Sequence, residues 1–375
     1  MRLVLFCHSL VSCWNHGNAH FLRGIVSELL ARGHQVVSWE PEDGWSRRNL
    51  LRQEGPEALR RFERDFPHLT PRTYADPLEL DLDRALDGAD AVLVHEWTHP
   101  ALVGRLGVLR ARSRWPLLFH DTHHRTFSMP DELPVQDLRA FDGVLAFGEV
   151  IRRGYLQRGW ARRAWTWHEA ADVRRFAPRI GIRREAAVVW IGNWGDEERR
   201  AELEEFLIRP VERLGLSATV HGVRYPQDAL DRLARAGIRY RGWVPNAAVP
   251  EVLGAHAITV HVPRRPYARA LPGIPTIRVF EALACGAALV CAPWHDTEGL
   301  FTPGRDYLVA RDGEEMTRHL SELLADPAWA RSLGEHGRAT VLRRHTCAHR
   351  VDELLSILAG LGVDTSGAHP LREAS

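Results

Sequence analysis

The stretch from Gly273 to Asp296 joins a proline-bearing loop, a helical segment with a single carboxylate and an apolar run. Pro275 and Thr276 stand where a helix would begin, so free backbone N–H groups there would face an anion such as phosphate. Arg278 adds a fixed positive charge. Glu281, one turn into the helix, is placed to accept hydrogen bonds from a pair of sugar hydroxyls. The alternative is a surface ion pair between Glu281 and Arg278.

Further polar residues follow short apolar runs elsewhere in the chain. If those runs are strands of open α/β sheets, ligands bind beyond their carboxyl ends, and the polar residues there face the same cleft. Such residues occur in both halves of the sequence: the loop 8–20, His95-Glu96, His120-Asp121, Gly192-Asn193, Trp243-Val244 and Arg264-Arg265.

The apolar runs repeat one order of elements. A run at 2–7, a loop with Gly17, a helix-periodic segment at 20–32 and a run at 35–39 form a βαβ opening, and the same order restarts at residue 186. The sequence therefore predicts two doubly wound α/β domains, with a polar joint near 168–180. The later predicted strands are 89–96, 116–121, 143–148, 186–192, 217–223, 238–244, 258–262 and 287–293. Between the early strands, 44–80 is interpreted as an insertion with a solvated Arg/Glu-rich helix.

Composition fits a folded protein with two cores. The chain has 375 residues, 45% of them hydrophobic and 26% charged, and no run approaches the roughly 20 apolar residues of a membrane span. The first residues, MRLVLF, resemble a buried strand more than a secretory signal. The five cysteines have no metal-finger spacing and are expected to be reduced. A cytoplasmic location follows as an expectation.

All 49 basic side chains are arginines, because the sequence contains no lysine. The formal net charge is only +1, and no basic stripe is interleaved with aromatic residues. We therefore expect no nucleic-acid partner. The arginines do offer many planar groups for binding anions in a bidentate manner.

Residues 276–355, which begin TIRVFEALACGAALVCAPWHD, resemble the carboxyl-terminal donor-binding half of GT-B glycosyltransferases. The likeness is closest to the CgeB-type group and to the style of glycosyltransferase family 4. WHEAADVRRFAP at 167–178 resembles the interdomain joint of that group, and 242–262 resembles its nucleoside-binding stretch. The amino-terminal half agrees only in its order of elements. The resemblance implies a GT-B fold, with two Rossmann-like domains facing a central cleft, and transfer of a sugar from a nucleoside diphosphate sugar to an acceptor.

The predicted domain bounds follow from the joint and the resemblance. They are an acceptor domain at 1–168, a joint at 169–180, a donor domain at 181–344, a helix at 345–362 that packs back toward the first domain, and a disordered tail at 363–375.

On the donor side, Glu281 matches the second glutamate of the family's E-x7-E pattern, which binds ribose hydroxyls. The first glutamate is replaced by Gly273, so the backbone of Gly273, Ile274, Pro275 and Thr276 is expected to take over part of its contacts. The resemblance also implies that Trp243 and Val244 frame the base, beside the loop of Gly192 and Asn193. Arg199 or Arg200, and further Arg264 or Arg265, are candidates for the diphosphate. Each of these arginines has the alternative of a solvated helix residue.

On the acceptor side, His120 matches the family histidine that contacts the transferred sugar, and Asp121 stands beside it as its catalytic partner. Gly17 and Asn18 resemble a small-residue loop that approaches the diphosphate and acceptor. Inversion of the anomeric carbon would need a general base, for which His16 and His20 are the first candidates. Retention needs no dedicated base and is the favoured prediction.

The resemblance implies no cofactor, because the nucleotide sugar is a substrate. A UDP-sugar is preferred over a GDP-, ADP- or dTDP-sugar, and the acceptor is a small molecule or a glycan. Metal sites at His123-His124 and at Asp81 and Asp83 are discounted, since GT-B enzymes usually need no bound metal.

Two alternatives stay open. One is a sugar-nucleotide epimerase on the same scaffold, against which the missing carboxylate at Gly273 counts. The other is a nucleotide-binding module without turnover. A transfer activity that depends on His120 would exclude it. A pyridoxal-phosphate phosphorylase is set aside because the chain has no lysine for a Schiff base.

Overall fold

The structure, a computed structural model, describes residues 1–123, 127 and 138–366. Its chain divides into two compact units, Met1–Glu169 with the segment from Cys347 onward, and Ala170–Thr346. We call these the first and the second unit. Residues 170–180, predicted as a separate joint, lie in the second unit. His124 and the part of the predicted tail after residue 366 lie outside the described residues.

The first unit is built on a seven-stranded parallel sheet in the order β3-β2-β1-β4-β5-β6-β7. The order reverses between β1 and β4, which is the Rossmann switch point where ligands of such sheets bind. The central strands are buried throughout, as their continuous apolar runs require. The strands are β1 Arg2–Phe6, β2 Gln35–Pro41, β3 Arg72–Tyr74, β4 Ala91–His95, β5 Leu117–Asp121, β6 Gly143–Ala146 and β7 Ala164–Thr166.

Helices cover this sheet, and the last of them comes from the far end of the chain. Its backbone accepts hydrogen bonds from the guanidinium of Arg32 and from the indole of Trp167, and it is counted with the first unit. The helices are α1 Ala19–Ala31, α2 Trp45–Glu54, α3 Glu57–Asp65, α4 Leu82–Ala85, α5 Pro100–Arg110, α6 Glu149–Gln157 and, after the second unit, α15 Cys347–Gly360.

The second unit repeats the plan with six parallel strands in the order β10-β9-β8-β11-β12-β13. Its switch point lies between β8 and β11, so the loops after these two strands are the expected ligand edge. One apolar cluster packs against each face of the sheet. The strands are β8 Ala186–Ile191, β9 Ala218–His221, β10 Ile238–Tyr240, β11 His256–His261, β12 Ala288–Cys291 and β13 Leu308–Val309.

The α-helices of the second unit are α7 Arg200–Leu203, α8 Arg209–Leu214, α9 Gln227–Arg235, α10 Val249–Gly254, α11 Arg265–Arg269, α12 Ile277–Ala284, α13 Gly313–Ala325 and α14 Pro327–Arg344. The segment 199–215 is not one regular helix, because a π-helical turn at Glu204–Ile208 interrupts it. Pro210 follows directly, and because proline has no N–H to donate, a regular α-helical ladder cannot run through it.

The predicted insertion at 44–80 is a crossover in the structure. It contains α2 and α3 and ends in β3, which pairs with β2 and extends the sheet by one strand. Its helix α3 is amphipathic rather than wholly solvated, since Ala58 and Phe62 are buried. Alternating charge hid this apolar stripe in the sequence.

Candidate active site residues at two sheet edges

In the second unit, Glu281 lies on α12 and is only 1% exposed. Its carboxylate forms an ion pair with Arg278, and the side-chain amide of Asn246 lies 3.4 Å from its Oε1. The sequence offered either a ligand-binding carboxylate or a surface ion pair with Arg278. The structure contains the ion pair, but its carboxylate is buried rather than on the surface. The partly exposed Arg278 compensates the charge of the buried carboxylate.

The loop that precedes α12 explains why residue 273 is a glycine. Gly273 has φ +90°, and a Cβ atom there would lie 2.3 Å from the hydroxyl of Thr297 and 3.3 Å from a carboxylate oxygen of Glu298. A glutamate at this position would need another backbone conformation and a displaced Thr297. Ile274 and Pro275 are buried, and Thr276 is half-buried at the N-terminal boundary of α12.

Beyond β8, the guanidinium groups of Arg199 and Arg264 converge on Asn193. Arg199 donates to the backbone oxygen of Asn193 at 3.2 Å, and Arg264 lies 3.3 Å from its Oδ1 and 2.7 Å from a carboxylate oxygen of Glu198. Arg199 is 7% exposed, and its guanidinium carbon lies 5.2 Å from the centre of the Trp190 ring. Burial and the neighbouring Arg264 lower the pKa of Arg199 to about 9.

The other two candidate arginines lie away from this cluster. Arg200 is exposed and pairs with Asp228 at 3.2 Å, and Arg265 pairs with Glu202 at 2.8 Å on the first turn of α11. The structure therefore brings Arg199 and Arg264 together with Asn193 and does not bring Arg200 to them.

Small residues keep this edge compact. A Cβ on Gly192 would lie 2.4 Å from the Trp190 ring, and one on Gly222 would lie 1.9 Å from the Gly192 oxygen. Trp243 and Val244 lie in the loop after β10. Val244 packs against an apolar cluster of the sheet.

His261 was not predicted from the sequence. It ends β11 and is buried, and burial together with Arg199 and Arg278 lowers its pKa to about 3. Its only sequence signal is its place at the end of an apolar run, the same signal that marked His120.

In the first unit, His120 lies within β5 rather than beyond it and has no exposed surface. Its ring packs against Trp167 at 4.8 Å, His95 at 5.4 Å and Phe21 at 5.7 Å between centroids. Neither ring nitrogen has a hydrogen-bond partner among the residues that the structure describes. Burial lowers the pKa of His120 to about 3, so the imidazole is neutral.

Further histidines continue from His120 along the same edge. The ring centroid of His95 lies 6.1 Å from that of His16, and the ring centroid of His16 lies 4.9 Å from that of His8. Burial lowers the pKa of His16 and of His95 well below the ordinary value, and that of His8 to about 4. These neutral rings bind protons weakly, so His16 is a poor general base near neutral pH.

Two charged residues that the sequence interpretation missed hold the loop 8–18 in place. The buried carboxylate of Glu40 accepts hydrogen bonds from the backbone of Leu10 at 2.6 Å and Val11 at 3.2 Å. Arg23, on α1, donates to the oxygens of the same two residues at 2.6 and 2.9 Å. A carboxylate on β2 thus holds the N–H groups of the loop, and a guanidinium on α1 holds its carbonyl oxygens.

The end of this loop carries the predicted small residues. Gly17 precedes Asn18, which lies directly before α1 at its N-cap position and donates from its side-chain amide to Glu169 at 2.9 Å. His20 is 3% exposed in the first turn of α1. The tight packing around both side chains gives the loop a defined shape.

Asp121 ends β5 and meets Glu96, which follows β4. Asp121 accepts hydrogen bonds from the hydroxyl of Tyr155 at 2.7 Å and from the backbone of His123 at 3.1 Å. Thr122 donates to Glu96 from its backbone at 2.8 Å and its hydroxyl at 2.6 Å. Burial and the nearby Asp121 raise the pKa of Glu96 well above its ordinary value. Two carboxyl groups in hydrogen-bond contact favour the binding of a proton between them.

The described residues contain no cluster of three or more histidine, cysteine, aspartate or glutamate side chains that could hold a metal ion. Within the same part of the chain, no helix has both the length and the apolar character needed to cross a membrane.

Comparison with known proteins agrees with this architecture. Residues 199–356 match the family model described as "Glycosyl transferase-like". No curated protein sequence matches the chain significantly. The predicted class, a glycosyltransferase with a GT-B fold of two Rossmann-like domains, is confirmed by the family match and by the fold.

Three solved structures illustrate the similarity of fold. Sucrose-phosphate synthase from Thermosynechococcus elongatus has a TM-score of 0.68 at 16% identity, covering 96% of this chain and 99% of that one. Anabaena Alr3699/HepE, in complex with UDP and glucose, has a TM-score of 0.65 at 14% identity, with coverage of 96% and 100%. T4 phage BGT, in complex with UDP and Mn²⁺, has a TM-score of 0.61 at 12% identity, with coverage of 96% and 99%.

Proposed function

We propose that the chain transfers a sugar from a nucleoside diphosphate sugar, bound by the second unit, to a hydroxyl group of an acceptor bound by the first. One observation carries the proposal: two arginines converge on Asn193 at the switch point of the second sheet, while a buried glutamate with a bound arginine lies on α12 of that unit. The arginines suit a diphosphate, and the Glu281 carboxylate suits the ribose hydroxyls. We assign the donor role to Ala170–Thr346 and the acceptor role to Met1–Glu169 with the segment from Cys347 onward.

The reaction breaks the bond between the anomeric carbon and the diphosphate, and it forms a bond from the acceptor oxygen to that carbon. Negative charge grows on the departing diphosphate. Arg199 remains protonated at neutral pH, since its pKa of about 9 lies above 7, and its charge acts in a surrounding of low polarity. Arg264 and the N–H groups at the start of α12 add to this stabilisation.

Independence from metal is part of the proposal, because the arginines supply the positive charge that a cation would otherwise provide. T4 phage BGT, which shares the fold, forms a complex with UDP and Mn²⁺, so the assay needs arms with EDTA and with Mn²⁺. Equal turnover in both arms is expected. UDP is the nucleotide that we propose, supported by its presence in the complexes of similar fold.

Retention of the anomeric configuration is the proposed stereochemical course, with the departing phosphate accepting the acceptor proton. The depressed pKa of His16 supports it, since the base that inversion would need binds protons weakly there. Proton NMR of the product's anomeric signal tests this directly. An inverted product would point to the Glu96–Asp121 pair as the proton acceptor instead. A reducing, cytoplasmic location is also proposed, supported by the five free thiols.

The first experiment is a thermal-shift screen against UDP, GDP, ADP, CMP and dTDP. A nucleotide at ~100 times its dissociation constant adds ~2.7 kcal/mol to the stability of the folded state. Release of that nucleotide from its sugar conjugate is then measured. Binding and turnover together support the proposal. Binding without turnover would instead favour the nucleotide-binding module, and no binding at all would overturn the proposal.

The role of His120 as a residue of the reaction stays a proposal, to be tested by His120→Phe. A phenyl ring preserves the packing against Trp167 but has no ring nitrogen. If the imidazole takes part, the variant should keep its affinity for UDP and lose turnover of the sugar nucleotide. Unchanged turnover would leave His120 a packing residue.

A further inference from the structure

A second feature of the first unit is a cavity of about 400 Å³ beside the carboxyl ends of its strands. This volume lies in the range of small-molecule sites, ~300–1,000 Å³. Segments that follow β1, β2, β3 and β4 contribute to its wall. The described lining residues include His8, Asp43, Trp45, Glu96, Trp97 and Tyr155. We call this space the aromatic cavity.

The wall of the aromatic cavity is mainly apolar and rich in rings. Trp45 and Trp97 are 42% and 39% exposed, which is unusual for the largest apolar side chains of a folded chain. Both are positioned by neighbours: the Trp45 ring packs against Trp14 at 5.1 Å, and the Trp97 ring against His123 at 5.5 Å. Exposed, held aromatic faces are suited to a flat apolar ligand.

The charges of the wall select against anions. None of the described lining residues is an arginine, although the chain has 49 of them. Asp43 and Glu96 contribute carboxyl groups, and burial keeps His8 neutral by lowering its pKa to about 4. A phosphate or carboxylate on a ligand would lose its hydration in the cavity without gaining a positively charged partner among the described lining residues.

One place in the wall offers hydrogen bonds. Glu96 lines the cavity and is anchored from behind by Thr122 at 2.6 and 2.8 Å. Tyr155 also lines it and holds Asp121, the partner of Glu96, at 2.7 Å. A carboxyl group fixed in this way presents a defined acceptor to a single hydroxyl, in contrast to the many polar groups that a glycan needs.

We propose that the aromatic cavity binds a neutral hydroxylated aromatic compound, with its ring against the aromatic wall and its hydroxyl hydrogen-bonded to Glu96. The compound is the sugar acceptor, so this inference rests on the proposed function and names the class of acceptor. Binding itself requires no nucleotide, which allows the inference to be tested separately.

The experiment is isothermal titration of the full chain, without nucleotide, with four probes: 2-naphthol, naphthalene, 2-naphthoate and maltose. We expect 2-naphthol to bind about tenfold more tightly than naphthalene, a difference of ~1.4 kcal/mol. 2-Naphthoate and maltose should bind more weakly than either 2-naphthol or naphthalene. Glu96→Ala should lower the affinity for 2-naphthol to that for naphthalene and leave naphthalene unchanged, because only the hydroxyl contact is lost.

Trp97→Ala should weaken both naphthalene and 2-naphthol about equally, whereas Trp97→Phe should restore most of the affinity. Val108→Ala, on an exposed position of α5 outside the wall, serves as the matched control. Tighter binding of maltose or 2-naphthoate, equal binding of naphthalene and 2-naphthol, or full affinity in both Glu96→Ala and Trp97→Ala would overturn the inference. UDP binding in the same preparations reports on the proposed function alone, so the two failures are distinguishable.

Discussion

The two units share a strand order but carry opposite chemistry at the carboxyl ends of their strands. In the second unit, Arg199 and Arg264 meet at Asn193, and a buried Glu281 is already paired with an arginine. In the first unit, neutral histidines and the carboxyl pair of Glu96 and Asp121 occupy the corresponding edge.

This difference separates what the scaffold provides from what the side chains provide. Both switch points place loops where a ligand can bind, regardless of its charge. The arginines of the second unit favour anions at its edge, whereas the described lining residues of the aromatic cavity include no arginine and favour neutral ligands. Under the two proposals, a shared fold would serve a charged donor and an uncharged acceptor, and the comparison can be tested from either side.

Arg199 and Arg200 are adjacent, but only Arg199 faces Asn193, so they form a matched pair. Arg199→Ala should weaken UDP binding by ~1.5–3 kcal/mol, the range for a hydrogen bond to a charged group, and leave uridine binding unchanged. Arg200→Ala removes only surface ion pairs with Asp228 and Glu197, each worth ~0–1 kcal/mol to stability, and should leave UDP affinity as it is. Titration calorimetry measures both variants. Equal losses in the two would contradict the assignment of the anion edge, and Arg199→Lys checks that the fold survives.

Glu281→Ala should weaken UDP binding by ~1–3 kcal/mol, since hydroxyl and amide groups lose their acceptor. Glu57→Ala is the control, because Glu57 pairs with Arg60 at the same i,i+3 spacing on an exposed helix of the first unit. Only the buried pair should affect the nucleotide. An unchanged UDP affinity in folded Glu281→Ala would remove the ribose contact from the proposal.

Gly273→Ala should lower the free energy of unfolding by ~1–3 kcal/mol more than Gly299→Ala does. Both glycines have positive φ, but a Cβ at residue 273 meets Thr297 at 2.3 Å, whereas one at residue 299 meets nothing within 4 Å. Urea unfolding of the two variants therefore isolates the contact from the backbone strain. Equal losses would mean that the loop can accommodate a Cβ atom at residue 273.

Glu96→Gln should flatten the pH dependence of stability, the smallest expected effect. Since the pKa of Glu96 is raised in the folded state, the native protein holds a proton that the unfolded chain loses from about pH 4.5 upward. Stability of the parent protein should fall as pH rises through the folded pKa, and the variant should lose less. Glu57→Gln is the control with the opposite sign, because Arg64 and Arg60 lower the pKa of Glu57 and its contribution is lost on the acid side. A parallel curve for Glu96→Gln would mean that the pair holds no proton.

Much of the fold is readable from local pattern. Strands buried on both faces must be continuously apolar, so β1, β4, β5 and β8 stand out in the sequence. Edge strands of two or three residues, such as β3 and β13, lack enough residues to form a pattern. Glu281 was also recognisable, because a lone carboxylate among apolar residues needs a partner.

The chemistry of the first unit was harder to predict, for geometric reasons. Glu96 and Asp121 meet only because β4 and β5 are neighbours, and Glu40 reaches Leu10 only because β2 lies beside β1. His120 was counted among the polar residues beyond the strands, although the predicted strand 116–121 contains it; it lies one residue inside β5, where side chains alternate between faces. A shift of one residue changes a histidine from an accessible group into a packed one.

The closing helix of the first unit, α15, has a consequence for how the protein is made. The ribosome emits residues 1–169 first, but they lack the helix that later receives hydrogen bonds from Arg32 and Trp167. The second unit is complete once Thr346 has emerged, while the first must wait for Gly360. The half that is synthesised first therefore lacks one of its helices until the whole second unit has emerged.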